Sequence, residues 1–173
     1  MKKNLFAALA VLTCMSMSCN NNGTSNTDDS QAQKNIKASD VVAKAFETGD
    51  VSGIDSVVAE DFVDHTDQGD KKGRDSLKAM VNFVHSNFKD MKMEKVHELA
   101  DGDYVYTRMR YTGTSDGTMG MPKGPYDMHA IEVTKFRNGK AVEHWAFMDM
   151  QSMAKMMTQQ PNMNNMSKAD STR

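Results

Sequence analysis

Two segments in the second half of the chain carry side chains that can move protons, Glu132 in one and His144 in the other. A carboxyl group in an apolar cavity has a raised pKa and an imidazole titrates near neutral pH, so both types suit general acid–base chemistry. Glu132 shares a predicted strand face with Met128, which favours burial. Glu132 is therefore a candidate acid or base, and the alternative is an ion pair with Arg108 or Arg110.

His65 is the second candidate catalytic residue. It lies in the segment DFVDHT (61–66), between Asp64 and Asp67, where a histidine can act as a base or as a metal ligand. A hydrogen-bonded turn residue is the alternative. The five histidines show no H-x-x-x-H or H-E-x-x-H spacing, so we predict no metal site and no cofactor.

The only tryptophan stands in AVEHWAFMDM (141–150), a segment with the alternation of a strand. Successive side chains of a strand point to opposite faces. One face is predicted to carry Val142, His144, Ala146 and Met148. The other face is predicted to carry Ala141, Glu143, Trp145, Phe147 and Asp149. Exposed aromatic rings on that second face suggest a dimer interface, and packing under a loop or a C-terminal helix is the alternative.

The elements that must position these residues follow from hydrophobic periodicity. Apolar residues recur at helical spacing in 38–46 and 77–88, and a short helix is predicted at 54–58 with Asp50 as its cap. The period changes to two in 91–99, 104–114, 126–137 and 140–150, and Asn138-Gly139 is a hairpin turn. The segment 60–70 is predicted to be a loop with a short strand.

Helices followed by antiparallel strands predict an α+β fold. A long curved sheet wrapped around an N-terminal helix would enclose a cavity, which is a natural site for a small ligand. The predicted domain spans residues 34–158.

The N-terminal segment has the pattern of a secretory signal peptide, with Lys2 and Lys3 before a short apolar stretch. Its end, SMSC, resembles the lipobox of bacterial lipoproteins, so we predict a signal peptide over 1–18 and lipid modification of Cys19. Lipidation at Cys14 and plain secretion are the alternatives. Residues 19–33 are polar and are predicted to form a flexible tether, and 159–173 a disordered tail. The predicted location is the bacterial cell envelope, at the membrane.

Composition argues against some classes of function. The 21 basic and 23 acidic residues give a formal net charge of −2 without a basic run, which argues against a nucleic-acid partner. Cleavage before Cys19 would remove Cys14, so the mature chain would have neither a disulfide nor a catalytic thiol. The 17 methionines suit an adaptable apolar pocket, and Cu(I) binding by thioethers is the alternative.

The order of these segments resembles the SnoaL-like polyketide cyclase family, which belongs to the nuclear transport factor 2-like superfamily together with ketosteroid isomerases. The resemblance rests on DFVDHT (61–66), RMRYTGTSDGTMGMPKG (108–124) and NGKAVEHWAFMDM (138–150), and it covers about 34–158. It implies a conical half-barrel, with N-terminal helices packed on a curved antiparallel sheet around a deep apolar pocket. It also implies a small, mostly hydrophobic ligand and a homodimer formed through the outer sheet face.

The resemblance also implies site residues. Arg108 matches an arginine on the family's first long strand, where it could neutralise Glu132 or hold a substrate carboxylate. Cyclase-type members commonly have an aspartate three residues after the glutamate of EHW, whereas this chain has Ala146, which cannot transfer a proton. The standard cyclase mechanism is therefore not expected. The predicted ligand-binding residues are Phe62, Arg108, Met128, His144, Ala146 and Met148.

Three functions are compatible with the sequence. The first is a lipid-anchored domain that binds a small hydrophobic or aromatic molecule without standard cyclase activity. The second is a cyclase- or isomerase-type enzyme with Glu132 as its acid or base and His65 beside it. The third is an envelope protein-interaction module that uses Trp145 and Phe147. A cavity would favour the first two, and a filled core beneath an exposed aromatic sheet face would favour the third.

Overall fold

The computed structural model describes residues 25–88 and 90–158. The predicted signal peptide, the lipidation site Cys19, the start of the predicted tether and the tail 159–173 lie outside these residues. The helices are α1 (Ser25–Thr48), α2 (Ile54–Val57), α3 (Arg74–Asn87) and α4 (Met150–Thr158), with a 3₁₀ turn at Thr118–Gly120. The strands are β1 (Val58–Thr66), β2 (Gly69–Lys72), β3 (Lys92–Asp101), β4 (Tyr104–Ser115), β5 (Gly124–Arg137) and β6 (Lys140–Met148). None of these described helices has the length and apolar character needed to cross a bilayer.

Helix α1 begins earlier than predicted, because residues 25–33 of the predicted tether form its first turns. Their polar composition disfavours burial, but it includes no proline or glycine that would break a helix. Asn35 is fully buried and accepts a hydrogen bond from Gln31 Nε2 at 2.8 Å, which supports the preceding turn. Gly49 ends the helix with a φ of 74°, and its N–H donates to the carbonyl of Ala45.

The predicted cap of the short second helix is wrong. The Oδ1 atom of Asp50 accepts a hydrogen bond from the N–H of Ser52 at 2.9 Å, in the turn before the helix. Gly53 occupies the N-cap position of α2 without a side-chain hydrogen bond. Ile54 is nevertheless fully buried, as its helical pattern predicts. Helix α3 follows its predicted pattern and buries Val81.

The strands form a single sheet in the order β2-β1-β6-β5-β4-β3. Strands β3 to β6 are an antiparallel meander, and Asn138-Gly139 makes the predicted hairpin with a positive φ at both residues. The segment predicted as a loop, 60–70, holds most of β1 and the start of β2. Strand β1 runs parallel to β6, so the sheet is mostly, not entirely, antiparallel.

A register shift between β5 and β6 changes which side chains face inward. Lys135 pairs with Glu143 and Phe136 pairs with Ala141, so β6 accommodates one extra residue, Val142. Ala141 therefore belongs to the core and is only 4 % exposed. Simple alternation placed Ala141 on the outer face, and that prediction is wrong because of this bulge.

The helices pack against one face of the curved sheet, and the main core lies between them. The fully buried members of this core include Ile54, Val58, Val81, Val105 and Phe136. A second cluster of Phe88, Tyr126 and Met128 lies beside it. The predicted α+β class, with N-terminal helices on a curved sheet, is confirmed.

Candidate functional site

A cavity of about 510 Å³ lies between the helices and the inner face of the sheet. Its wall is mostly apolar, and six aromatic residues contribute to it: Phe46, Phe62, Phe88, Tyr111, Tyr126 and Phe136. Seven methionines contribute as well: Met91, Met93, Met121, Met128, Met148, Met153 and Met157. The volume lies in the range of pockets that hold small molecules. Flexible thioethers can adapt to the shape of an apolar occupant.

Exposed wall residues mark where the cavity reaches the surface. Gly120 ends the 3₁₀ turn and is exposed, and Met121 follows it. Met157 on α4 is 60 % exposed. The glycine-rich segment between β4 and β5 and the C-terminal helix therefore form the rim of the cavity.

Strand pairing brings Asp64 and His144 together in the cavity wall, although they are 80 positions apart in the sequence. The two residues lie opposite each other in the parallel ladder of β1 and β6. His144 Nδ1 donates to Asp64 Oδ1 at 2.8 Å, which leaves Nε2 free to exchange a proton. Burial opposes the charged imidazole, but the hydrogen bond to Asp64 and the charge of Glu132 raise the pKa of His144.

Glu132 lines the same cavity and accepts a hydrogen bond from the hydroxyl of Tyr111. It lies directly opposite Ala146 in the ladder of β5 and β6. Its carboxylate therefore stands beside the position at which cyclase-type relatives are expected to carry an aspartate. Burial and the charge of Glu132 raise the pKa of Tyr111 well above its usual range, so the phenol keeps its proton.

Two further hydroxyl groups of the wall, those of Ser39 and Tyr126, are buried without a hydrogen-bond partner among the described residues. A buried polar group without a partner is costly, and protein atoms cover both oxygens. Burial, followed by the charge of Asp90, raises the pKa of Tyr126 to about 12. This phenol is also protonated at neutral pH.

A smaller cleft of about 200 Å³ adjoins the cavity and shares Thr107 and Glu132 with it. Lys95 faces this cleft next to a bulge in β3. Its Nζ atom lies 2.5 Å from Asp40 and 2.8 Å from Glu98, so its charge is balanced within the cleft.

His65, the second predicted catalytic residue, lies on strand β1 outside the cavity wall, so the structure does not bring it together with Glu132. Successive side chains of β1 point to opposite faces of the sheet. Because Asp64 points into the cavity, His65 lies on the outer face. Its ring stacks on Trp145 with 4.7 Å between centroids, and its nitrogens lie 2.9 Å from Asp70 and 3.2 Å from Glu143. Burial opposes its charge, but these two hydrogen bonds raise the pKa of His65. No group of three or more His, Cys, Asp or Glu side chains suited to a metal ion occurs among the described residues.

Arg108 is also outside the cavity. Strand β4 turns Thr107 inward and leaves Arg108 exposed on the outer face, so the guanidinium cannot serve the cavity as predicted. Arg110 contacts Asp127 at 2.8 Å instead of Glu132. The alternative interpretation of Glu132 as the partner of either arginine is therefore wrong.

The remaining predicted ligand-binding residues all lie in the cavity wall: Phe62, Met128, His144, Ala146 and Met148. Their part in ligand binding stays a prediction. Sequence reasoning missed Asp64 and Tyr111 as site residues. The period-two spacing of Phe62 and Asp64 would indicate a shared face if 61–66 were interpreted as a strand.

The outer sheet face carries an apolar strip. Ile131 pairs with Phe147, and Val133 pairs with Trp145, across β5 and β6. Ile131 is 42 % exposed and Phe147 58 % exposed. Trp145 is half-buried.

Helices packed on a curved sheet around an apolar cavity define a nuclear transport factor 2-like protein. The profile of SnoaL-like polyketide cyclases matches residues 36–157, most of the chain, and the protein belongs to that family. The resemblance inferred from the three sequence segments is thereby confirmed. No curated protein matches the chain in sequence.

Solved structures share this fold. IdmH, a candidate polyketide cyclase from Streptomyces antibioticus, is 25 % identical with a TM-score of 0.60, and the match covers 72 % of this chain and 98 % of IdmH. A candidate polyketide cyclase from Bacillus cereus ATCC 10987 is 25 % identical with a TM-score of 0.59, and the match covers 72 % of this chain and 80 % of that protein. An LEH-like epoxide hydrolase from M. tuberculosis has a TM-score of 0.61 at 14 % identity, with 74 % and 92 % covered. The fold alone does not select an activity.

Proposed function

We propose that the protein binds a small, mostly apolar molecule inside the 510 Å³ cavity. The observation that carries this proposal is an apolar wall around two polar pairs, Asp64 with His144 and Glu132 with Tyr111. Burial of apolar ligand surface would supply affinity, and the few fixed polar groups would set the ligand's orientation.

Two adjacent residues on opposite faces of β6 provide a matched test. Ala146→Phe fills the cavity beside Glu132, whereas Phe147→Ala removes a ring from the outer face. Titration with the neutral fluorescent probe Nile red should show binding weakened at least about tenfold by Ala146→Phe. Phe147→Ala should leave the affinity within about twofold. Loss of binding in Phe147→Ala alone would place the probe on the outer face and contradict the proposal.

The Asp64–His144 pair favours a second candidate function, proton transfer next to a carbonyl group as in a cyclase or isomerase. Asp64 holds the imidazole in one tautomer, so Nε2 can take a proton from a bound substrate. Glu132 is the second proton-transfer group, as the sequence predicts, and the hydroxyl of Tyr111 orients its carboxyl group by donating to it. In this proposal His144 has the role that was predicted for His65.

Hydrogen–deuterium exchange at the methyl carbon next to the carbonyl of acetonaphthone, followed by NMR in D2O, tests this second function. Glu132→Gln and His144→Asn should each slow protein-catalysed exchange by about 100-fold, a usual contribution of a general acid or base. Glu60→Gln, an exposed carboxylate outside the cavity wall, is the matched control. Exchange that is no faster than in buffer, or equal in all variants, would contradict catalysis.

Lipid attachment at Cys19 would hold this domain at the bacterial cell envelope. We expect Cys19→Ala to move the protein from the membrane fraction to the soluble fraction, because the acyl chains supply the membrane affinity. Cys14→Ala is the control and should leave fractionation unchanged. Membrane association that survives Cys19→Ala would contradict lipidation at this position.

The apolar strip on the outer face supports a homodimer formed through this face. Native mass spectrometry should show a dimer for the parent chain and a monomer for Phe147→Glu, because the charge would be buried without a partner. Phe83→Glu on α3 is the control, since Phe83 is 44 % exposed on a helix. A dimer that persists in Phe147→Glu would contradict an interface on this strip.

A further inference from the structure

The charged groups of the cavity wall are nearly all acidic. Asp64, Asp67 and Glu132 line the cavity, and His144 is its one basic side chain among the described residues. A positive charge on His144 would be balanced by Asp64, which lies 2.8 Å from its Nδ1 atom. Arg108, which could have held a carboxylate, is exposed on the outer face. The electrostatic potential inside the cavity is therefore negative.

The lysines of the adjoining cleft do not make the electrostatic potential of the cavity positive. Lys95 is shared between Asp40 and Glu98, and Lys44 contacts Glu47 at 3.3 Å. Each lysine thus has at least one carboxylate partner inside or at the edge of the cleft. The cleft contributes no free positive charge to the cavity among the residues that the structure describes.

The aromatic side chains of the wall add a second attraction for positive charge. The face of an aromatic ring carries negative electrostatic potential and binds cations within about 6 Å. A bound organic cation would exchange its water for ring faces and carboxylate oxygens. An organic anion would lose its water and face the carboxylate of Glu132, which is unfavourable on both counts.

We propose that the ligand is an apolar molecule with a positive charge, such as an aromatic or alicyclic amine, and that the cavity rejects anions of the same skeleton. This inference rests on the proposed ligand-binding function and specifies its ligand class. It is the reverse of the preference expected from an arginine in the pocket. The acidic residues select the charge, and the apolar wall selects the skeleton.

Three probes with one skeleton test the charge preference: naphthylmethylamine, naphthalenemethanol and naphthoic acid. Their affinities for the full-length chain at pH 7 are measured by isothermal titration calorimetry. The amine should bind at least about tenfold more tightly than the acid, with the alcohol between them. An acid that binds as tightly as the amine would overturn the charge preference and leave the proposed binding function intact. Failure of all three probes to bind would overturn the proposed binding function and the charge preference with it.

Two variants assign the preference to the wall carboxylates. Glu132→Gln and Asp64→Asn, on different strands, should each reduce the amine-to-acid affinity ratio at least about threefold, since each removes one negative charge. The ratio of the two affinities cancels any loss of binding that the amine and the acid share, so it isolates the effect of charge. Glu60→Gln is the matched surface control and should leave the ratio unchanged. A ratio that is unaffected in both wall variants, with folding checked by circular dichroism, would overturn the proposal.

Discussion

The substitution Ala146→Asp would place a second carboxylate directly opposite Glu132. Residues that face each other across antiparallel strands have Cβ atoms about 5 Å apart. Two unit charges at about 5 Å repel by about 3 kcal/mol when the effective dielectric constant is about 20. His144 lines the same cavity and offsets part of this repulsion. We therefore expect Ala146→Asp to be about 1–3 kcal/mol less stable at pH 7 than Ala146→Asn.

The asparagine variant has the same shape as the aspartate variant and no charge, so their difference isolates the carboxylate pair. Urea unfolding of both variants at pH 7 and at successively lower pH measures this difference. It should shrink as the pH falls, because protonation of either carboxyl group removes the repulsion. Equal stability of the two variants at pH 7 would refute a charged Glu132 facing position 146.

Two glycines with positive φ should respond differently to alanine. Gly49→Ala puts a Cβ 2.6 Å from the ring of His85 and should lower the free energy of unfolding by about 1–3 kcal/mol. Gly102→Ala puts a Cβ in open space and should lower it by only about 1 kcal/mol. Thermal unfolding of the two variants measures both effects. Because the pKa of His65 is raised, its stabilising contribution is present below about pH 6.5 and is lost as the pH rises through the folded-state pKa. The fluorescence of Trp145, which stacks on this ring, should report the transition, and Glu143→Gln should move it to lower pH. A transition at the same pH in both proteins would contradict the contact.

Local patterns predict most of the helices and strands of this fold. Alternation in 126–137 and 140–150, with Asn138-Gly139 between them, gives β5, the hairpin and β6 close to their observed bounds. Strand β1 is harder to predict, because its inward positions combine Phe62 with the charged Asp64 and hide the apolar alternation. The start of α1 escapes prediction for a related reason, since a polar segment without apolar periodicity resembles a tether.

The candidate site depends on strand phase and on long-range pairing. A shift of one residue along a strand inverts every side chain. His65 was predicted in a loop and Arg108 was matched by resemblance, so neither prediction fixed a strand phase, and both residues lie outside the cavity wall. Asp64 faces His144 only because β1 lies parallel to the last strand. Sequence spacing carries no information about that contact. Glu132, in contrast, belongs to a long strand whose phase its apolar neighbours define, and its predicted inward direction agrees with its place in the wall.

The parallel pairing of β1 with β6 has a consequence for how the chain acquires its binding site. A contact between residues 80 positions apart forms late, because loop closure must precede it, and folds rich in such contacts fold slowly. During synthesis β1 is complete long before its partner strand exists, so one of its edges stays open to other chains. A chain truncated before β6 would lack one wall of the cavity. Ligand binding would thus stabilise only the completed domain and could report that folding has finished.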